Sequence, residues 1–123
     1  MLIIDAANVI GSRPNGWWRD RAGAARTFVG RVHDAVASGA LDSPVVIVLE
    51  GHARAGADPG TNGAIEVVHA PASGDDTIAA VAAASGPETR ATVVTADRAL
   101  GDRVRAVGAA VVGPTWLLDR LAD

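Results

Sequence analysis

Apolar residues along the chain fall into short unbroken runs, separated by stretches whose apolar positions recur at helical spacing. Leu2-Ile3-Ile4 closes on Asp5, and Val45-Val46-Ile47-Val48-Leu49 closes on Glu50, with Pro44 before it and Gly51 after. Three further runs occupy residues 65–68, 91–95 and 109–112. Runs that are continuous rather than alternating predict strands buried on both faces, as in parallel sheets covered by helices. Between the first two runs, Ala22, Ala25, Phe28, Val29, Val32 and Val36 recur at spacings of three and four and predict one helix, with Arg19, Arg26 and His33 mostly off its apolar stripe. Residues 73–84 predict a second helix with Asp75 and Asp76 in its first turn, where carboxylates suit the helix dipole. Residues 97–107 predict a third, with Leu100, Val104 and Val107 inward, and residues 115–121 a short last one after Pro114. The expected fold is α/β, a central, mostly parallel five-stranded sheet between layers of helices, in a single domain over residues 1–123. Residues 51–63 are Gly-rich and irregular, the expected place for a mobile flap.

Composition narrows the choices. A chain of 123 residues with 49% hydrophobic content can bury a real core, and one domain is the natural count. A net charge of −3 argues against a protein that grips nucleic acid through a broad basic field, although a local basic patch remains open. The absence of cysteine removes disulfides, thiolate metal ligands and a cysteine nucleophile, and suits a reducing cytoplasm, the expected location. All 11 positively charged side chains are Arg, so enzymes that need a catalytic Lys are excluded. No apolar stretch approaches the ~18 residues of a membrane span and no basic leader precedes Leu2, so neither export nor membrane insertion is expected.

In open α/β sheets, ligands bind outside the carboxyl ends of the strands, where strand order reverses. That rule selects Asp5, Glu50 and Asp97 at strand ends, together with Asp75 and Asp76 at the start of a helix on the same edge. Carboxylates gathered in one place repel and raise one another's pKa unless a cation sits among them, and hard oxygen ligands favour Mg²⁺ or Mn²⁺. Such an ion beside a phosphodiester supports its hydrolysis. Each acid also has a simpler reading: Asp97 suits the N-cap of its own helix, and one of Asp75 and Asp76 suits solvent. Asn8 could orient a ligand or bond the backbone of its own turn, and Thr95 could hold a phosphate or only pack the strand end. Asp102 fits a surface role, solvated or paired with Arg98 or Arg105. Trp17 and Trp18 follow Pro14-Asn15-Gly16 and precede Arg19, Arg21 and Arg26, a combination that can stack bases and hold phosphates, while at least one Trp anchors the loop. His33, His52 and His69 lack paired ligand spacing and read as surface or packing residues, with His52 notable for lying two residues past Glu50.

Three segments together are more specific. Ile4-Asp5-Ala6-Ala7-Asn8-Val9-Ile10-Gly11, Gly74-Asp75-Asp76-Thr77-Ile78 and Val94-Thr95-Ala96-Asp97-Arg98-Ala99-Leu100 resemble the motifs of NYN domains, the YacP-like branch of the PIN-like nucleases. The resemblance implies a PIN-like three-layer sandwich and a metal-dependent ribonuclease, with RNA as substrate and Mg²⁺ or Mn²⁺ in an acidic cluster. By motif, Asp5, Asp75 and Asp97 correspond to the catalytic acids and Asn8 to the family's Asn beside the first of them. Thr95, Arg19, Arg98 and Trp17 are the accompanying candidates for substrate contact. Domains of this kind often pair, which leaves room for a homodimer. Two departures stand out: Glu50-Gly51 replaces the Asp-Gly of many relatives, and the chain is shorter than many of them.

A haloacid-dehalogenase-like phosphatase needs a second Asp where Ala7 stands, and usually a Lys. A receiver domain lacks the same Lys, and no G-x-G-x-x-G follows the first strand to support a Rossmann reading. The competing reading from another class is a catalytically weak PIN-like module that binds RNA or a protein, and a third is the toxin half of a toxin–antitoxin pair.

Overall fold

The computed structural model describes residues 1–121. Its central strand is β1 (Leu2–Asp5), in which Ile3 and Ile4 are wholly buried and no face is left for solvent. The chain then runs through α1 (Ala6–Gly11), a 3-10 turn at Trp17–Arg19, α2 (Arg21–Ser38), β2 (Val45–Leu49), a 3-10 segment at Gly51–Gly56, β3 (Gly60–Asn62) and β4 (Ile65–His69). It continues as α3 (Gly74–Ala84), α4 (Gly86–Thr89), β5 (Thr92–Val94), α5 (Arg98–Ala106), β6 (Ala110–Val112) and α6 (Pro114–Leu121). Among the described residues no helix is long and apolar enough to cross a membrane.

The strands lie in the order β3-β4-β2-β1-β5-β6, with every neighbouring pair parallel except β3 and β4. Leu2 faces Val45 on one side and Thr92 on the other, so successive strands leave β1 in opposite directions and strand order reverses between β1 and β5. The sheet thus has six strands rather than the expected five. The additional one, β3, is three exposed residues hydrogen-bonded antiparallel to β4 at the sheet margin, where nothing is buried on either face and no apolar run is needed.

Alternate residues of the central strands feed two cores. Leu2, Ile4, Val45, Ile47, Leu49 and Val94 pack with α1, α2 and α6, while Ile3, Val46, Val48 and Val93 pack with α3 and α5 on the opposite face. This is the two-sided burial that continuous apolar strands require. In α2 the predicted stripe faces the first core through Ala25, Phe28, Val29 and Val32, with Ala22 and Val36 only half-buried and Ala35 buried in addition. Asp20 caps its start by accepting from the Gly23 amide at 2.9 Å. Gly39 closes its end in the left-handed conformation, φ 84°, which suits a residue without Cβ.

The stretch expected to be an irregular flap is largely tied down. Residues Gly51–Gly56 coil against α2, and Gly56 approaches so closely that a Cβ there would collide with the Ala22 carbonyl oxygen. Beyond it, His69 Nε2 donates to the Ala57 carbonyl at 2.7 Å, and β3 pairs with β4.

Candidate active site at the carboxyl edge of the sheet

Asp5 and Thr95 are the two buried polar or charged side chains recorded in the core, 5% and 2% exposed. Asp5 ends β1, Thr95 follows β5, and the Thr95 hydroxyl donates to Asp5 Oδ2 at 2.9 Å across the point where strand order reverses. The other Asp5 oxygen accepts from the Asn8 amide at 3.3 Å and so caps α1. Thr95 Oγ1 in turn accepts from the Asp97 amide at 3.1 Å, and Asp97 Oδ1 accepts from the Leu100 amide at 3.0 Å, capping α5. The Asn8 side-chain oxygen reaches across to the Ala96 amide at 2.8 Å. The β1–α1 and β5–α5 turns are thereby laced together, and Asn8 and Thr95 both spend hydrogen bonds on that lacing.

Burial pushes the Asp5 carboxyl up from its ordinary 3.8 to about 6, against the lowering effect of its hydrogen bonds from Thr95 and Asn8, and the charges of Asp75 and Glu50 push in the same direction as burial. Asp5, Glu50 and Asp75 therefore share one electrostatic site. Glu50 leans on the first turn of α3: a Cβ on Gly74 would lie 3.0 Å from Glu50 Oε1. That placement sets the carboxylate beside the positive end of the α3 dipole. Asp76, next to the half-buried Asp75, points elsewhere and forms an exposed ion pair with Arg103 of α5 at 2.9 Å. Nothing in the spacing of the sequence signals Arg103, because the partners are 27 residues apart. Asp102 pairs with Arg105 at 3.7 Å on the surface.

The side-chain donors gathered at this edge are oxygens, of carboxylates, a hydroxyl and a carboxamide, a set suited to a hard divalent cation rather than a soft one. Among the described residues no three His, Cys, Asp or Glu side chains stand close enough to hold a metal ion as they are. Asp5 and Asp97 are engaged as caps, while Glu50 and Asp75 keep their carboxylates partly exposed.

Beside Glu50 the edge carries an aromatic and basic flank. A hollow of about 240 Å³ is lined by Ala7, Ile10, Trp17, Arg21, Glu50 and Ala53. Trp17 is half-buried, its ring 3.4 Å from where a Gly11 side chain would begin, which makes it the anchor of its loop. The Arg21 guanidinium stands over that ring, 5.3 Å from its centroid. Arg19 stands 5.8 Å over Trp18, and Arg98 is exposed on the first turn of α5.

This topology, five parallel strands with helices on both faces and one antiparallel strand at the margin, is that of a PIN-like α/β fold. Crystal structures of Rae1 (YacP) from Bacillus subtilis, unsubstituted and as a point mutant, share it with TM-scores of 0.78 and 0.77. Each is 20% identical in sequence, and the superposition covers 98% of this chain and 72% of theirs. At that identity the likeness is one of fold, and YacP is the branch that the three motifs resemble. No family model and no curated protein sequence matches the chain.

Proposed function

We propose that the chain is a single PIN-like domain that hydrolyses RNA phosphodiester bonds at this acidic edge with the help of Mg²⁺ or Mn²⁺. The observation that carries the reading is Asp5. A carboxyl only 5% exposed, with the charges of Asp75 and Glu50 acting on it, is an unfavourable arrangement for an unaccompanied fold. Strain of this sort concentrates where a protein needs reactive or ligand-binding groups. Asp5, Asp75 and Glu50, which do not form a three-ligand cluster as they stand, are the residues that would hold the ion. A divalent ion bound there would supply Lewis acidity and offset the charge of the phosphodiester. Asp97 contributes negative charge at the same edge and fixes the start of α5, while Thr95 and Asn8 hold the two turns in register. The fold shared with the Rae1 (YacP) structures supports the same reading.

The capping bonds of Asp5 and Asp97 give a second reading its support: an RNA-binding module in which these acids serve the fold. Cleavage of end-labelled RNA by the purified protein separates the two. With Mn²⁺ or Mg²⁺ the intact protein is expected to cut, and EDTA to stop it. Asp97→Asn is the informative variant, because asparagine caps a helix about as well as aspartate and removes only the charge. Its loss of turnover with an unchanged melting temperature supports hydrolysis, whereas a metal-loaded, folded protein that cuts no RNA leaves the binding module.

A further inference from the structure

Trp18 is 53% exposed, the most exposed large apolar side chain recorded among the described residues. It is nevertheless held firmly. Gly16 turns the chain at φ 72°, the Trp17 amide donates to Asn15 Oδ1 at 3.2 Å, and the 3-10 turn then runs straight into the Asp20 cap of α2. The two indoles meet edge to face, centroids 6.3 Å apart, so Trp17 buttresses Trp18. Next to it lies an open depression lined by Trp18, Arg19, Asp20, Arg21 and His52, in which the Asp20 carboxylate is engaged by the Gly23 amide, and Arg21 also lines the hollow beside Glu50. The two recesses therefore share Arg21, and Glu50 lines the second of them. Neither Arg19 nor Arg21 has a carboxylate partner in the ion pairs of the described residues.

We infer that this surface is a track for an unpaired RNA strand, in which Trp18 stacks one base and Arg21 holds the phosphate between that base and the acidic edge. The inference rests on the reading of that edge as an RNA-cleaving site and adds the residues that position the strand. A rigidly presented, exposed indole offers stacking area at little entropic loss, and unpaired guanidinium groups beside it complement a phosphate backbone in a chain whose net charge is −3. The hollow beside Glu50, at about 240 Å³, is smaller than the ~300 Å³ and upward of drug-sized pockets, and fits one ring system. Inside a duplex the bases are stacked on each other, and only the two end pairs leave a face free for Trp18.

The test is equilibrium binding of a short unstructured RNA and a blunt duplex of the same composition to protein carrying Asp5→Asn, in EDTA so that nothing is cut. In that background, Trp18→Ala is expected to weaken single-strand binding about 5- to 150-fold, the range of one lost base stack, and Trp18→Phe to restore most of it. Arg21→Gln should weaken it too, while Arg120→Gln should not. Arg120 makes a comparable stack on Trp116, 3.9 Å over the ring, but beside Leu2 and Thr92 at the opposite end of the strands. In the otherwise unsubstituted, cation-loaded protein, Trp18→Ala should raise KM and leave kcat nearly unchanged, a split that a general loss of folding does not produce. Unaltered binding by both Trp18→Ala and Arg21→Gln, or duplex bound as tightly as single strand, overturns the track. If RNA is cut but neither substitution matters, the nuclease reading survives without it. If the intact protein cuts nothing and both substitutions still weaken binding, the track survives and the nuclease reading falls.

Discussion

Asp5 accepts two hydrogen bonds and still titrates near 6, so its burial outweighs them. The sign of the consequence follows. The folded chain holds the Asp5 proton more tightly than the unfolded chain does, so the associated stability is complete below about pH 3.8, declines as pH rises, and is gone above about 6. The full effect corresponds to about 3 kcal/mol. Asp5→Asn keeps an acceptor for the Asn8 amide and removes the charge. In EDTA it is expected to melt above the unsubstituted protein at pH 7.5 and close to it at pH 4, while abolishing cleavage. Parallel melting curves across that range would show that the carboxylate is not strained. Thr95→Val is expected to act in the opposite direction. It withdraws the hydroxyl from Asp5 and from the Asp97 amide together, and a denaturant titration should show a loss of about 1–3 kcal/mol.

At the scale of elements, legibility depended on how much each segment buries. β1 and β2 could be read from unbroken apolar runs that end at Asp5 and Glu50, and the stripe of α2 holds from Ala25 to Val32. β3 left no trace, since Gly60-Thr61-Asn62 is wholly exposed and its identity lies in backbone bonds to β4. α1 has only six residues, too short to display a period. The candidate site was legible as a set of acids at strand ends, but not in its wiring. Adjacent Asp75 and Asp76 look alike in the sequence and are told apart by Arg103, and the bond from Asn8 to Ala96 spans 88 positions. Gly56 shows how an element outside the sheet governs the site. Gly56→Ala must push the 51–56 segment off α2, with an expected loss of about 1–3 kcal/mol in denaturant unfolding. Because Glu50 precedes that segment directly, cleavage should fall with it.

For the whole molecule, if an acidic chain reads RNA through a local flank as proposed, its response to salt differs from that of a basic nucleic-acid protein. If Arg19 and Arg21 neutralise about two phosphates, log affinity for single strands should fall against log salt concentration with a slope of about −1.4. A slope several times steeper would require basic contacts far from the Trp18 surface. The bond between Asp5 and Thr95 joins positions 90 residues apart, through a central strand whose second neighbour, β5, comes late in the chain. During synthesis the first acid therefore emerges long before the residues that seat it. The acidic edge has no completed form until most of the polypeptide has been made, so whatever chemistry it supports is withheld from the chain while it is still attached to its own message.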